Sequence, residues 1–353
     1  VTSNTRPAWA SQTNVPPLEI EPNMPPASER IWHLSLSTIP SWEVVYHWEA
    51  ALLEDVFREN AEVIALAEEL FAGAETTLEK LERIQEHLAT EIRYQQDYES
   101  FIAGVKPHAA PMVIARGYGD CKDKSVLFIT LARVADIEAH FALIRTRDRG
   151  PVRREVPSQQ FNHVVVYVPA QRGLEAPRFF DPTADALDVT TLRGDVPGTL
   201  SMVTRLEDDA FEWKPVPFQA PAANRVDEAI EIELAADGSA TGRVTLESVG
   251  ASAALLRQMA RNESLFERFL QHFADTIWPG AIVVGSEILS AEEITRPVRI
   301  AATFEIPKLA REEAGRLRFK IPRDAFPEKQ FTLDERDHPL VLGPPSAQGW
   351  TVD

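Results

Sequence analysis

One cysteine, Cys121, occurs in 353 residues, and that count limits how the chain can be held together. No intrachain disulfide can form, and no multi-cysteine zinc or iron–sulfur site can staple it. Stability must come from buried apolar surface. With 44% hydrophobic and 25% charged residues, the chain has a globular composition and is long enough to bury sizeable cores. At about 100–200 residues per domain, the length suggests two domains. The formal net charge is −18. Lys and Arg supply most of the affinity for phosphate backbones, so nucleic acid is excluded as a partner, and anionic membranes are disfavoured. No apolar run approaches the 18 or so residues of an integral membrane segment. The chain starts at Val1 with no basic-then-apolar leader, and is read as part of a longer or processed protein.

Residues 1–40 hold Pro7, Pro16, Pro17, Pro22, Pro25, Pro26 and Pro40, with Trp9 and Trp32 among them. That density disfavours helix and favours extended chain, expected to lie along a domain surface or dock against a preceding domain. From Ser41, an N-cap candidate, apolar residues recur at i, i+3, i+4 as far as Phe71. The spacing predicts two consecutive helices or one broken helix, stopped at Gly73. Trp42 and Trp48 are assigned to the core. A further helix is predicted over 75–92. Gly104, Pro107 and Pro111 then mark 95–116 as a loop. A helix over 121–135 precedes strands at 140–146, 161–168 and 178–180. Past Pro215–Pro221 come short strands at 229–234 and 242–246 around an Asp237-Gly238 hairpin turn. One helix over 251–277 follows, then strands at 282–289, 298–304 and 317–321. The class is α+β, with a β-rich second part carrying one helical insertion.

A thiol attacks as its thiolate. Gly117 and Gly119 permit a sharp turn, Asp120 can cap, and Cys121 then opens a helix. There, bare N–H groups and the positive end of the helix dipole favour negative charge, and the same N–H groups could hold an oxyanion. Lys122 and Lys124 add positive potential, which Asp120 and Asp123 oppose. Free cysteine is usually a small buried hydrophobe, but Cys121 lies off the apolar stripe between charged flanks. Thiol catalysis also needs a base and an orienter. His33, His47, His87, His108, His140, His272 and His338 sit in charged, helical or loop contexts without a clear partner. His163 lies in the apolar run FNHVVVYV beside Asn162, sharing a face with Phe161 and Val165 by alternation. Asp181 ends the run RFFDPT, where an ordinary turn residue would also fit. A hairpin through 169–177 would pair the two strands and could bring Asp181 beside His163. The chain has no HExxH, P-loop or GxGxxG motif, and Glu68-Glu69, Asp208-Asp209 and Glu292-Glu293 read as solvated charges. No cofactor or metal is expected.

The words WEVVYHW, EIRY at 91–94, RGYGDCKDKS, FNHVVVYV and FFDPT together resemble a bacterial transglutaminase-like superfamily protein. In that family a Cys-His-Asp core is flanked by N-terminal and C-terminal β domains. The resemblance implies a papain/transglutaminase-like core over 41–214, its helices packed on an antiparallel sheet, followed by a C-terminal β-rich domain over 222–353. It also implies that 1–40, with PPLEIEPNMPP, is the tail of a missing N-terminal domain that this chain would contact. Cys121 would be the nucleophile, His163 the base and acid, and Asp181 the orienter. Tyr94 is expected to pack in the core, with an oxyanion or substrate contact as the alternative. Lys122 stands where animal transglutaminases carry Trp, and Asp120 replaces their Gln, so their calcium dependence and substrate preference do not carry over. The implied activity is cysteine-dependent acyl transfer on peptide or side-chain amides through a thioester, with hydrolysis favoured over transglutamination. Its substrate would be a protein or peptide, and the family points to an extracytoplasmic setting. The alternative is a catalytically retired scaffold that binds a protein partner.

Overall fold

The computed structural model describes residues 13–14, 17–31, 34–96, 104–184, 186–320, 332–343 and 345–353. Trp9 and Trp32 fall outside these. The proline-rich start includes one helical turn, α1 (Ala27–Arg30), where the composition predicts extended chain. The described part of this start runs against the far end of the chain. Glu21 accepts from the Asp337 N–H at 2.6 Å, and the Val341 N–H donates to Asn23 O at 2.7 Å.

Three helices follow: α2 (Trp42–Leu53), α3 (Ala61–Phe71) and α4 (Thr77–Thr90). Asn60 caps α3, and Thr76 with Glu79 forms a capping box on α4. Both satisfy N–H groups that a helix start leaves bare. The buried stripe of α2 is Trp42, Val45, Tyr46, Glu49 and Leu53. Trp48 is not in the core but 44% exposed. It lies about 100° around the helix from Glu49, and Glu49 takes the inward place.

The predicted loop over 95–116 is corrected at its end. There α5 (Ala110–Arg116) forms with Pro111 in its first turn, where a missing N–H removes no helical bond. Two short strands, β1 (Arg93–Tyr94) and β2 (Tyr118–Gly119), pair in parallel. They lead into α6 (Cys121–Val134), whose residues 122–132 are all buried. A helix buried on every side is the centre of its core.

Helix α6 packs on an antiparallel sheet of β3 (His140–Ile144), β4 (His163–Val168), β5 (Arg178–Phe180), β6 (Leu200–Arg205) and β7 (Ala210–Pro215), in the order β5-β4-β3-β6-β7. Phe141, Leu143, Val164, Val166 and Met202 face the helices, while Ala142, Ile144, Val165 and Val203 pack on Leu192, Val196 and Val216. Phe161 packs with the helix-side core and Val165 with the other. The shared face read from alternation therefore breaks at His163, the first residue of β4. Strands β6 and β7 are absent from the sequence reading. LSMVTR and AFEWKP alternate weakly, and pairing with β3 and with each other makes them strands.

The second sheet is built from β8 (Arg225–Leu234), β9 (Ala240–Ser248), β10 (Ile282–Leu289), β11 (Val298–Ile306) and β14 (Ala347–Val352), ordered β10-β11-β9-β8-β14, with β14 parallel to β8. The β8–β9 hairpin turns at Gly238, φ +86°, a left-handed conformation that glycine adopts without strain. In place of one helix over 251–277 stand α7 (Ala251–Ala260) and α8 (Glu263–Ile277). Asn262 divides them by accepting from the Leu265 N–H at 3.1 Å as an N-cap. Strands β12 (Arg311–Glu313) and β13 (Arg316–Arg318) form a separate ribbon. The strand predicted at 317–321 is reduced to β13, and residue 321 lies outside the described residues. Buried Arg257 of α7 donates to Ala186 O at 2.9 Å and Arg296 O at 2.6 Å, joining this sheet's helices to the segment after β5. Among the described residues no helix is long and apolar enough to cross a membrane. The molecule is α+β.

Candidate functional site

The turn before α6 is set by side chains that satisfy its backbone. Asp120 Oδ1 accepts from the Lys122 N–H at 3.1 Å and the Asp123 N–H at 3.4 Å, and Asp123 Oδ2 reaches back to the Asp120 N–H at 3.4 Å. A Cβ on Gly119 would lie 2.7 Å from Asp123 Cβ, so the close approach needs glycine. This cap narrows the oxyanion expectation. The Lys122 and Asp123 N–H groups already serve Asp120, and the Cys121 N–H stays outside the cap.

The four charges around Cys121 are paired. The Lys122 ammonium bonds Asp120, Lys124 Nζ donates to Ile92 O at 2.8 Å, and Asp123 meets His108 Nδ1 at 3.1 Å. His108 thus has a partner the sequence did not reveal, as does His140, whose Nε2 lies 2.7 Å from Glu138 Oε1.

His163 Nε2 sits 3.0 Å from Asp181 Oδ2. The antiparallel β4–β5 pairing, with Val166 opposite Phe180, brings Asp181 to this position. Phe180 packs on Phe128 of α6 at 5.2 Å between ring centroids, which fixes β5 against the helix that carries Cys121. Asp181 is itself held: its Oδ1 accepts from the Thr183 hydroxyl at 2.6 Å and its carbonyl from Gln85 Nε2 at 2.8 Å. Burial alone would strip the proton from His163. The adjacent Asp181 charge and its hydrogen bond, with Cys121 close by, outweigh it and raise the imidazole to about 10. Burial would likewise protonate Asp181, but His163, Arg193 and the Thr183 hydroxyl bring it down to about 2. The pair is ionised at neutral pH.

Cys121 and His163 line one cavity of about 210 Å³, with Glu49, Gln96, Gln159 and Phe161 in its wall. Asn162 is turned to Thr146: Thr146 N donates to its Oδ1 at 2.9 Å and its Nδ2 to Thr146 Oγ1 at 2.8 Å, fixing the entry to β4. Tyr94 is 40% exposed, so core packing does not describe it. Burial, then the charges of Cys121 and Asp120, push its hydroxyl up to about 12, keeping it a donor. Glu49 and Gln159 were missed from sequence. The available signal was an acid at i+4 from Val45 on the stripe that begins at Trp42. Among the described residues no group of three or more His, Cys, Asp or Glu side chains could hold a metal ion.

Residues 64–173 match the family model of the transglutaminase-like superfamily. The match includes Cys121 and His163 and ends before Asp181. Curated proteins yield no match. A solved structure from Parabacteroides distasonis, that of a "putative protease", aligns at 12% identity and TM-score 0.42 over 77% of this chain. This chain spans about half of that protein, 54%. Residues 64–173 are thus a transglutaminase-like segment, similar to the superfamily core, within a longer chain.

Proposed function

We propose that the chain is a cysteine-dependent acyl-transfer enzyme acting on peptide or side-chain amides, with Cys121, His163 and Asp181 as its catalytic residues. The observation that carries this reading is the placement of one imidazole: His163 hydrogen-bonds Asp181 through Nε2 and lines the same cavity as Cys121. With Nε2 engaged, Nδ1 is the nitrogen left for the thiol, and the carboxylate fixes the ring's orientation. The Cys121 thiolate, its proton held by His163, adds to the amide carbonyl carbon, and the carbonyl π pair moves onto oxygen. The Cys121 N–H and the Tyr94 hydroxyl are the donors suited to that oxyanion. As the C–N bond breaks, His163 gives its proton to the leaving amine and a thioester remains. Water, losing a proton to His163, then attacks the thioester and frees the acid and the Cys121 thiolate. Cys121 is half-buried rather than sealed, so water can reach the acyl group, which favours hydrolysis over transfer to an amine.

The test is iodoacetamide alkylation of Cys121 at pH 6, together with mass-spectrometric detection of peptides cleaved by the wild type and not by Cys121→Ala. Alkylation should slow at least about tenfold in His163→Ala. Equal rates, with no Cys121-dependent cleavage, would reassign the chain as a protein-binding scaffold.

A further inference from the structure

The cavity over Cys121 has an acidic wall that the chemistry above does not use. Glu49 points inward from α2, is 5% exposed, and lines the same cavity as Cys121 and His163. Its Oε1 accepts from Gln159 Nε2 at 2.6 Å, which holds the carboxylate in one orientation. Among the described residues no cation pairs with it. Lys122, which also lines the cavity, is bonded to Asp120. A buried carboxylate without a cation is costly to ionise, and burial pushes Glu49 up to about 7. Its stripe neighbours Trp42, Val45 and Leu53 are buried and apolar, so an aliphatic side chain would serve packing better at this position. An acid there, held by Gln159 in the wall of the cavity that Cys121 also lines, fits recognition of a ligand.

We propose that Glu49, held by Gln159, is a specificity residue that binds a primary ammonium group of the substrate beside the carbonyl attacked by Cys121. The proposal rests on the acyl-transfer reading and names its substrate class: an amide whose acyl part bears a free amine. Entry of the ammonium supplies the charge that the buried carboxylate lacks, so ion pairing and desolvation work together. At about 30 Å³ per water, the cavity has the volume of about seven waters, room for an aminomethyl group and the carbons next to it. The chain's net charge of −18 also raises the local concentration of cationic substrates.

One experiment reads the acidic wall without turnover. Cys121 is modified by 2-aminoethyl, methyl and 2-sulfonatoethyl methanethiosulfonates. In each case the thiolate attacks the sulfenyl sulfur, an S–S bond forms, and methanesulfinate leaves with the bonding pair. The cation-to-neutral rate ratio should exceed that of free cysteine, fall about tenfold in Glu49→Gln, and persist in Glu49→Asp. A wild-type ratio equal to that of free cysteine overturns the proposal even if the variants do not fold, and so does a ratio unchanged in Glu49→Gln. A second experiment compares aminoacyl anilides with free or acetylated α-amines, and follows incorporation of dansylcadaverine into an acyl donor. Loss in Glu49→Gln of the preference for the free amine supports an acyl-side ammonium. A raised KM for cadaverine with that preference unchanged overturns the acyl-side assignment. An intact rate ratio with no Cys121-dependent turnover supports the cation site and overturns the acyl-transfer reading.

Discussion

Burying an imidazole beside a carboxylate trades hydration for one strong interaction, and His163 shows how far the trade can go. At 4% exposure its burial favours the neutral ring. With Asp181 at 3.0 Å it remains charged. Asp181→Asn keeps the shape and removes the charge, so turnover of any cleaved peptide should fall about 10²–10⁴-fold, measured as kcat/KM on the same peptide. The pair also sets a stability profile. His163 is raised from 6.5 to about 10, so its contribution is full below about pH 6.5 and is lost as pH rises toward 10. Asp181 is lowered from 3.8 to about 2, so its contribution is full above about pH 4 and is lost as pH falls toward 2. The Tm gap between wild type and Asp181→Asn should therefore be widest between about pH 4 and 6.5 and narrow on either side. Calorimetry across pH 3–10 checks this, and a gap that widens toward pH 10 contradicts it.

Among the elements, the first turn of α6 and the inner face of α2 do most to shape the site. Gly119→Ala puts a methyl 2.7 Å from Asp123 Cβ, so the capping box must shift. The expected cost is about 1–3 kcal/mol, with slower Cys121 alkylation, by chemical denaturation and labelling of the same variant. On α2, Trp42 packs edge-on to Trp213 at 5.0 Å and donates from Nε1 to Arg154 O at 2.8 Å. Trp42→Ala should cost about 3–5 kcal/mol, whereas exposed Trp48→Ala should change stability by roughly 0.5 kcal/mol. The sequence assigned both to the core, because an apolar residue one position off a stripe looks the same in a list of spacings. Which side of α2 faces inward is settled by what packs there, and Glu49 with Gln159 took the place expected of Trp48.

Across the whole molecule, the two sheets are joined by few but specific bonds. Arg257, 1% exposed, reaches Ala186 O, Glu293 O and Arg296 O, while the Gly250 N–H donates to Asp188 Oδ2 at 3.1 Å. Arg257→Met leaves those carbonyls without their donor and should cost about 3 kcal/mol. The second-sheet half should then melt ahead of the half carrying α6, separating into two transitions by calorimetry. A single transition at the wild-type Tm would show that the bridge contributes nothing.

What the sequence by itself determined is local and short-range: the α+β class, the Asp120 cap, the Asp237-Gly238 hairpin, and the thiol opening a helix after two glycines. Each of these depends on residues within a few positions, so spacing and turn chemistry are enough to read them. A weaker signal hid β6 and β7, which alternate poorly and are strands because β3 offers them a ladder. The tertiary structure alone decided that Asp181 Oδ2 lies 3.0 Å from His163 Nε2 and that Glu49 lines the cavity of Cys121. These depend on register, helix rotation and the packing of α6 on β4, which join residues from 18 to 110 positions apart. No local pattern encodes such distances, because they follow from how the buried faces of the whole core fit together.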